Sequence, residues 1–319
     1  MTICGISLKI LILNVLILCA GIVLLWAQQD VSPTVPVRMT ITVSLLGDNK
    51  RMPEVPQGQV EVKQGRDRVE VTEWTPARGA QAGLDLFILI DDASDSGLGS
   101  HLDDLRSFVN AQPQTTSVGI GYMRNTTVEM VQNFTTDHAQ AAKTLRLPVG
   151  NTGVFGSPYL SAIDLMKRWP EHPNRREIVM ISDGIDRARG GPRSRLSTIT
   201  PDVNSASEVA QRTGTLIHTI YFPGVGRLHR NFWEANNGEN GMAKLSDETG
   251  GESFFLSFQR PVSLKPYLDD IQKILENQYW LGFRAKPGNN EGLQNMSVDT
   301  DVAGVELVHA DGVWVPASK

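Results

Sequence analysis

Residues Leu84 to Gly97 have the sequence LDLFILIDDASDSG, in which two signals follow each other directly. The first part, Leu84–Ile90, is a short and nearly continuous apolar run, which is typical of a central strand that is covered on both faces. The second part, Asp91–Gly97, is acidic, hydroxylated or small. Because ligands of open α/β sheets bind at the carboxyl ends of the strands, this order of signals indicates a binding site.

The same alternation continues along the chain. A second buried strand is predicted at Glu177–Ser182, and amphipathic helices are predicted between the apolar strands, the last of them at 264–277. Apolar strands that alternate with amphipathic helices predict a doubly wound, Rossmann-like α/β domain with a mostly parallel sheet, which we place at residues 82–277. Within it, the polar stretch Trp233–Gly241 is predicted to be a loop before a helix that ends near Thr249.

Segments with alternating apolar and polar residues flank this domain on both sides. They cover residues 38–81 before it and residues 278–319 after it. Alternation with a period of two predicts strands with one buried face. A β unit as small as the first segment is not stable alone. We therefore predict that the N- and C-terminal strands pair into one small β-sandwich-like module.

The N-terminal segment has a different character. Leu8–Trp26 is almost entirely apolar and is long enough to cross a bilayer as a helix. Residues 1–27 are therefore predicted to be a signal peptide or a signal anchor, followed by a linker at 28–37. The bulky Leu25 favours a tether over a clean cut. The expected location is outside the cytoplasmic membrane, anchored to it or secreted.

The composition excludes several classes of function. Cys4 and Cys19 both lie in the N-terminal segment, which excludes disulfides, zinc–thiolate sites and cysteine nucleophiles from the rest of the chain. The formal net charge is −5, so nothing indicates nucleic-acid binding. The sequence also lacks an H-E-x-x-H zinc motif, a phosphate-binding loop with Lys-Ser/Thr, and a G-x-S-x-G nucleophile elbow.

Hard oxygen ligands occur on three loops that a doubly wound sheet brings to one edge. Asp92, Ser94 and Ser96 form an Asp-x-Ser-x-Ser pattern after the first buried strand, Ser157 precedes a helix, and Asp183 follows the second buried strand. Mg²⁺ prefers oxygen ligands in octahedral geometry and usually keeps several waters. The sequence therefore predicts a divalent metal site with a position left open for a further ligand.

This combination resembles the metal-ion-dependent adhesion site of von Willebrand factor type A (VWA) domains. The resemblance covers roughly residues 82–277, and the strand Gln278–Phe283 resembles one that follows the A domain in a group of bacterial exported proteins. It implies a protein-binding module rather than an enzyme. It also implies that Mg²⁺ (or Mn²⁺ or Ca²⁺) captures an acidic side chain of a partner protein. The residues that would hold the ion are Asp92, Ser94, Ser96, Ser157 and Asp183.

Some alternatives stay open at this point. Thr152 competes with Ser157 for the middle position, and Asp91 allows the first loop to be shifted by one residue. Asp91 and Asp95 also allow a metal-dependent hydrolase at the same edge. A purely structural envelope scaffold, in which these residues only cap helices, is the third hypothesis. The arginine-rich stretch 187–195 is expected either to steer an acidic partner or to be a solvated loop.

Overall fold

The structure is a computed structural model that describes residues 34–47, 52–150, 156–188, 201–225, 232–255, 257–288 and 290–317. The apolar run Leu8–Trp26, the candidate ligand Thr152 and the arginines beyond residue 188 lie outside these ranges. Across the described ranges, none of the helices has the length and apolar character needed to cross a membrane.

The elements follow each other in the order that the alternation of patterns predicts. They are β1 (Val35–Leu45), β2 (Val60–Gln64), β3 (Asp67–Val69), β4 (Val71–Pro76), β5 (Leu84–Asp91), α1 (Leu102–Asn110), β6 (Thr116–Arg124), β7 (Thr127–Thr135), α2 (His138–Lys143), α3 (Pro158–Lys167), β8 (Arg175–Ser182), α4 (Pro201–Thr213), β9 (Thr215–Tyr221), α5 (Phe232–Thr249), β10 (Ser253–Phe254), α6 (Lys265–Glu276), β11 (Gln278–Ala285), β12 (Gly292–Thr300), β13 (Val305–Val308) and β14 (Gly312–Val315).

The central sheet has six strands in the order β7-β6-β5-β8-β9-β10. All neighbours are parallel except β6 and β7, which are antiparallel at one edge. Numbered from β5, this is the order 3-2-1-4-5-6 of a doubly wound sheet, with its switch point between β5 and β8. The predicted fold class is therefore confirmed.

Strand β5 lies at the centre because both of its faces are apolar. All of its residues are buried. Leu86 and Ile88 belong to the core cluster that includes residues of α1 and α6, whereas Phe87 and Leu89 belong to the cluster that includes residues of α3, α4 and α5. A strand that is covered on both faces needs no polar alternation, which explains its continuous apolar run.

The N- and C-terminal strands form two four-stranded sheets, in the orders β13-β1-β11-β4 and β14-β12-β2-β3. Each sheet combines strands from both ends of the chain. Ile41 pairs with Tyr279 between β1 and β11, and Val62 pairs with Val298 between β2 and β12. One apolar cluster is shared by the two sheets. The expected β-sandwich-like module is therefore present.

The sandwich is attached at the amino edge of the central sheet. The segment after β4 leads into the start of β5, and β11 follows directly on the end of α6. The Ala77 N–H donates to the Gln278 carbonyl (2.8 Å), and Arg175, the first residue of β8, donates to the Leu275 carbonyl (3.1 Å). Because parallel strands share their direction, the carboxyl ends of the sheet lie on the opposite side from the sandwich.

Two details differ from the predictions. Strand β1 begins at Val35, inside the stretch 28–37 that is predicted to be a linker. The predicted loop Trp233–Gly241 is part of α5, which begins at Phe232. The loop prediction was wrong because the glycines in this stretch pack against other elements, so that tertiary contacts outweigh their low helix propensity.

Candidate functional site at the carboxyl ends of the strands

Four loops converge at the carboxyl ends of β5, β8 and β9. The loop after β5 is bonded to the loop after β9, and the loop after β8 is bonded to the start of α3. The backbone N–H···O bonds that join them are Asp95 to Pro223 (3.0 Å), Val225 to Ala93 (2.8 Å), Gly150 to Asp92 (2.9 Å) and Arg187 to Gly156 (2.8 Å). The expected meeting of separate loops at one edge of the sheet is therefore present.

Asp91 ends β5 and is buried at the centre of this convergence. Its carboxylate accepts a bond from the backbone N–H of Ala93 (2.8 Å) and one from the hydroxyl of Ser182 (2.9 Å). Burial raises the pKa of Asp91 to about 6, and the nearby charge of Asp183 acts in the same direction. Asp91 and Asp183 therefore form a pair of close, buried carboxyl groups at the switch point of the sheet.

Asp183 is paired with a buried arginine. The two terminal nitrogens of Arg187 lie 3.1 Å from Oδ1 and 2.5 Å from Oδ2 of Asp183, and Oδ1 also accepts a bond from the Ile185 N–H (3.0 Å). The Arg187 residue is only 7% exposed. Although burial lowers the pKa of Arg187, the charges of Asp183 and Asp91 raise it above its ordinary value. Arg187 therefore belongs to the interior of the site and not to a solvated rim.

Asp92 has a different set of partners. Its carboxylate accepts bonds from Arg124 (2.8 Å), from Arg146 (2.8 Å) and from the backbone N–H of Val149 (2.8 Å). Burial raises its pKa, but the donors of Arg146, Val149 and Arg124 outweigh this effect and hold the pKa below its ordinary value. The structure thus places Asp92 in a cluster with two arginines, and Asp91 is the carboxylate that accompanies Asp183.

The three predicted serines have different surroundings. Ser157 caps α3, where its hydroxyl accepts a bond from the Leu160 N–H (3.3 Å), and it borders a small recess with Asp91 and Arg187. The buried hydroxyl of Ser94 has no hydrogen-bond partner among the described residues. Ser96 is exposed at the start of a short 3-10 helix. Ser157 therefore lies beside Asp91, whereas Ser96 faces solvent.

As arranged, these side chains do not fit the expected divalent ion. Every oxygen of Asp91 and Asp183 already accepts a bond from a donor of the protein itself. The recess beside Asp91 and Ser157 has a volume of about 10 Å³, roughly the space that one water needs. Within the described ranges, no three His, Cys, Asp or Glu side chains are grouped to hold a metal ion. The positive charge beside Asp91 and Asp183 comes from Arg187.

Asp95 is also engaged within the protein. It accepts a bond from the Gly97 N–H (2.7 Å), which caps the short 3-10 helix, and it forms an ion pair with Arg260 (2.9 Å). A hydrolase at this edge would need a carboxylate that is free to bind a metal ion or to accept a proton from water. The contacts of Asp91 and Asp95 give no support to that alternative.

Exposed apolar side chains occur on three segments at this end of the molecule. Six large hydrophobic residues are exposed in the described part of the chain, and all except Leu46 lie on segments at the carboxyl side of the sheet. We call these five residues the apolar rim: Leu147 (52% exposed), Val149 (58%), Phe232 (60%), Trp233 (50%) and Val262 (100%). The residue before Leu147 is Arg146, which contacts Asp92 and lies over the ring of Tyr122.

Comparison with known proteins gives matches among solved structures only. No family model matches the chain, and no curated protein matches it. One similar structure is an aerotolerance-related membrane protein from Bacteroides fragilis, at 12% identity and a TM-score of 0.43, covering 60% of this chain and 98% of that chain. A second is the SpRpn10 VWA domain, at 14% identity and a TM-score of 0.36, covering 58% and 94%.

A third is the ArnB paralog VWA2 from Sulfolobus acidocaldarius, at 10% identity and a TM-score of 0.40, covering 89% of this chain and 76% of that chain. At such low identities and TM-scores, these matches add nothing to what the strand order provides. By its own strand order, this chain has the doubly wound α/β fold that its resemblance to von Willebrand factor type A domains implies.

Proposed function

We propose that this chain is a protein-binding module without catalytic activity, and that its partner binds across the apolar rim at the carboxyl side of the sheet. The concentration of exposed apolar residues at this one end supports the proposal. Large exposed apolar patches on soluble domains are typical of interaction sites, and aromatic residues and arginine are enriched at protein interfaces. Leu46 is the one exposed large hydrophobic residue elsewhere in the described chain.

The partner proposed here presents an acidic group next to apolar side chains. Arg124 and Arg146 hold the buried Asp92, but about a third of each side chain remains exposed. A guanidinium has five donors in a planar fork, so donors that do not contact Asp92 can bind a second carboxylate. In the free chain that carboxylate is the half-exposed Glu129, which lies 3.2 Å from Arg124 and 3.9 Å from Arg146, and the acidic group of the partner would take its place. Leu147 and Val149 follow Arg146 closely and supply the apolar contact.

The absence of turnover is supported by the contacts of the buried acids. The oxygens of Asp91 and Asp183 are engaged by internal donors, and the adjacent recess is too small for a substrate. A general base must reach the proton that it removes. Neither carboxylate has that access in this arrangement.

Site-specific photo-crosslinking tests the proposal. A photoreactive residue is placed at Val149 in one sample and at Leu46 in a matched control, in cells that express the chain. We expect a discrete cross-linked protein from position 149 only, and its loss when Leu147→Asp is added, because a negative charge repels an acidic partner. Leu46→Asp is the control substitution, since Leu46 is similarly exposed but lies outside the rim.

Three outcomes would contradict the proposal. Equal cross-linking from both positions would indicate non-specific contact, and no adduct at either position would favour the structural scaffold. An adduct that survives Leu147→Asp would place the interface elsewhere. The same assay tests the metal dependence that the VWA resemblance implies. From the contacts of Asp91 and Asp183, we expect EDTA to leave the adduct unchanged.

A further inference from the structure

Two buried carboxyl groups that lie close together need a compensating positive charge. Asp91 and Asp183 follow neighbouring central strands, and each is almost completely inaccessible to solvent. Charge repulsion and burial both disfavour two ionised carboxylates in such a place. Glu234 adds a third acid within electrostatic reach of Arg187.

We propose that the guanidinium of Arg187 is the resident cation of this site, in place of a divalent metal ion, and that its removal creates a metal site between Asp91 and Asp183. The inference concerns the interior of the site and does not depend on whether the apolar rim binds a protein.

The geometry of the ion pair carries this inference. The planar fork of an arginine matches the two oxygens of a carboxylate, and Arg187 uses two nitrogens on the two oxygens of Asp183 (3.1 and 2.5 Å). An ion that bound these oxygens would have to displace the guanidinium. Burial of an arginine is expensive without such a partner, so the pair opposes displacement.

Backbone contacts fix Arg187 in this position. Its own N–H donates to the Gly156 carbonyl (2.8 Å), next to Ser157, which borders the recess. On another side, Gly224 approaches so closely that a Cβ there would lie 2.3 Å from Asp183 Oδ2 and 3.1 Å from an Arg187 nitrogen. The pair is thus enclosed by backbone, which leaves little room for an ion with its own waters.

The test uses the full chain, with Mn²⁺ and Mg²⁺ as probes. Direct binding of Mn²⁺ is measured by the loss of free-ion electron paramagnetic resonance signal, and thermal unfolding is followed in EDTA and in each ion. For the wild type we expect no saturable binding and no change in Tm. For Arg187→Met in EDTA we expect a Tm below that of the wild type. We expect Mn²⁺ to raise the Tm of this variant by at least ~3 °C, because a ligand that binds only the native state stabilises that state.

Arg146→Met is the matched control, because it also removes an arginine from a buried aspartate, namely Asp92. Mn²⁺ should not raise its Tm. Stoichiometric Mn²⁺ binding by the wild type, or an equal response of the Arg187 and Arg146 variants, overturns the inference. If Arg187→Met does not fold, the double variant Asp183→Asn/Arg187→Met tests whether Arg187 is the counter-ion of Asp183. The double variant should fold in EDTA if Arg187 is a counter-ion, and its failure to fold would argue against that role.

Discussion

Asp91 and Asp92 are neighbours in the sequence but have different partners. Asp91 is the last residue of β5, whereas Asp92 is the first residue of the turn that follows, and only one of the two accompanies Asp183. Asp91 does so, through its contacts with Ser182 and its charge interaction with Asp183, while Asp92 binds Arg124 and Arg146. The Asp-x-Ser-x-Ser pattern selects Asp92, and only the structure shows that Asp91 is the aspartate beside Asp183.

The raised pKa of Asp91 predicts a specific dependence of stability on pH. The folded-state pKa is about 6, above that of the unfolded chain, so the unfolded state releases this proton first as the pH rises. The contribution of Asp91 to the free energy of unfolding should therefore fall from about pH 4 to about pH 6, by at most about 3 kcal/mol.

Asp91→Asn should make the fall of the free energy of unfolding between pH 4 and pH 6 smaller than in the wild type, and it should be more stable than the wild type at pH 8. Urea unfolding at several pH values measures both effects. An unchanged pH profile in the variant would show that Asp91 is not the responsible group.

Asp92 gives a second prediction at this scale. Asp92→Ala leaves Arg124, Arg146 and the Val149 N–H without their shared acceptor. We therefore expect the free energy of unfolding to fall by about 2 kcal/mol, and by the same amount in EDTA and in Mg²⁺. Asp103→Ala is the control, because its ion pair with Arg106 is on the surface and should be worth less than ~0.5 kcal/mol. A loss for Asp92→Ala that appears only in Mg²⁺ would instead identify Asp92 as a metal ligand.

The contact of Arg187 with Asp183 is the feature of the site that is hardest to predict from the sequence. The sequence places Arg187 with the other arginines of residues 187–195, for which a rim that steers an acidic partner or a solvated loop is expected. Its only signal is its position four residues after Asp183, and outside a helix that spacing does not predict a contact. The loop geometry after β8 brings the two side chains together, and this geometry depends on the close approach of Gly184 and α5.

At the scale of elements, helix α5 shows why local propensity can mislead. Gly238 and Gly241 disfavour a helix intrinsically, and the residues around them are polar. In the structure both glycines are buried. A Cβ at Gly238 would lie 2.2 Å from the Asp183 carbonyl oxygen, and one at Gly241 would lie 2.2 Å from the Tyr159 hydroxyl. These glycines allow α5 to pass directly against the loop that carries Asp183.

Gly238→Ala should therefore destabilise the protein, although alanine is normally the better helix former. The added methyl group must displace the backbone at Asp183 and Gly184, and we expect a loss of at least ~2 kcal/mol in chemical unfolding. Gly58→Ala is the control, because nothing lies within 4 Å of a Cβ at that position. A Gly238→Ala variant as stable as the wild type would show that this crossing is not tightly packed.

At the scale of the whole molecule, the sequence predicted the layer architecture well. Continuous apolar strands and amphipathic helices predicted the doubly wound sheet, and the instability of an isolated β unit predicted that the two ends of the chain would combine. Strand order within the sandwich could not be predicted, because pairings such as Ile41 with Tyr279 join residues that are far apart in sequence. Alternation alone does not specify the partner of a strand.

The pairing of the two chain ends predicts the effect of a truncation. A chain that ends at Asn277 lacks β11 and β13, the two neighbours of β1, as well as β12, the neighbour of β2. Ile41 and Val62 then lose their cover. We expect residues 34–76 to be cut by protease before the α/β domain is. A chain that ends at Pro316 keeps all of these strands and should resist proteolysis as well as the wild type does. Equal resistance of both chains would contradict the shared sandwich.

The attachment of the sandwich at the amino edge has a consequence for orientation. Whatever precedes residue 34 is joined to the sandwich through β1, whereas Arg187 and the apolar rim lie beyond the far ends of the strands. The eight residues of β5 separate these two sides by roughly 26 Å. The start of β1 and the apolar rim are thus on opposite sides of the central sheet, so a partner bound at the rim approaches from the side away from β1.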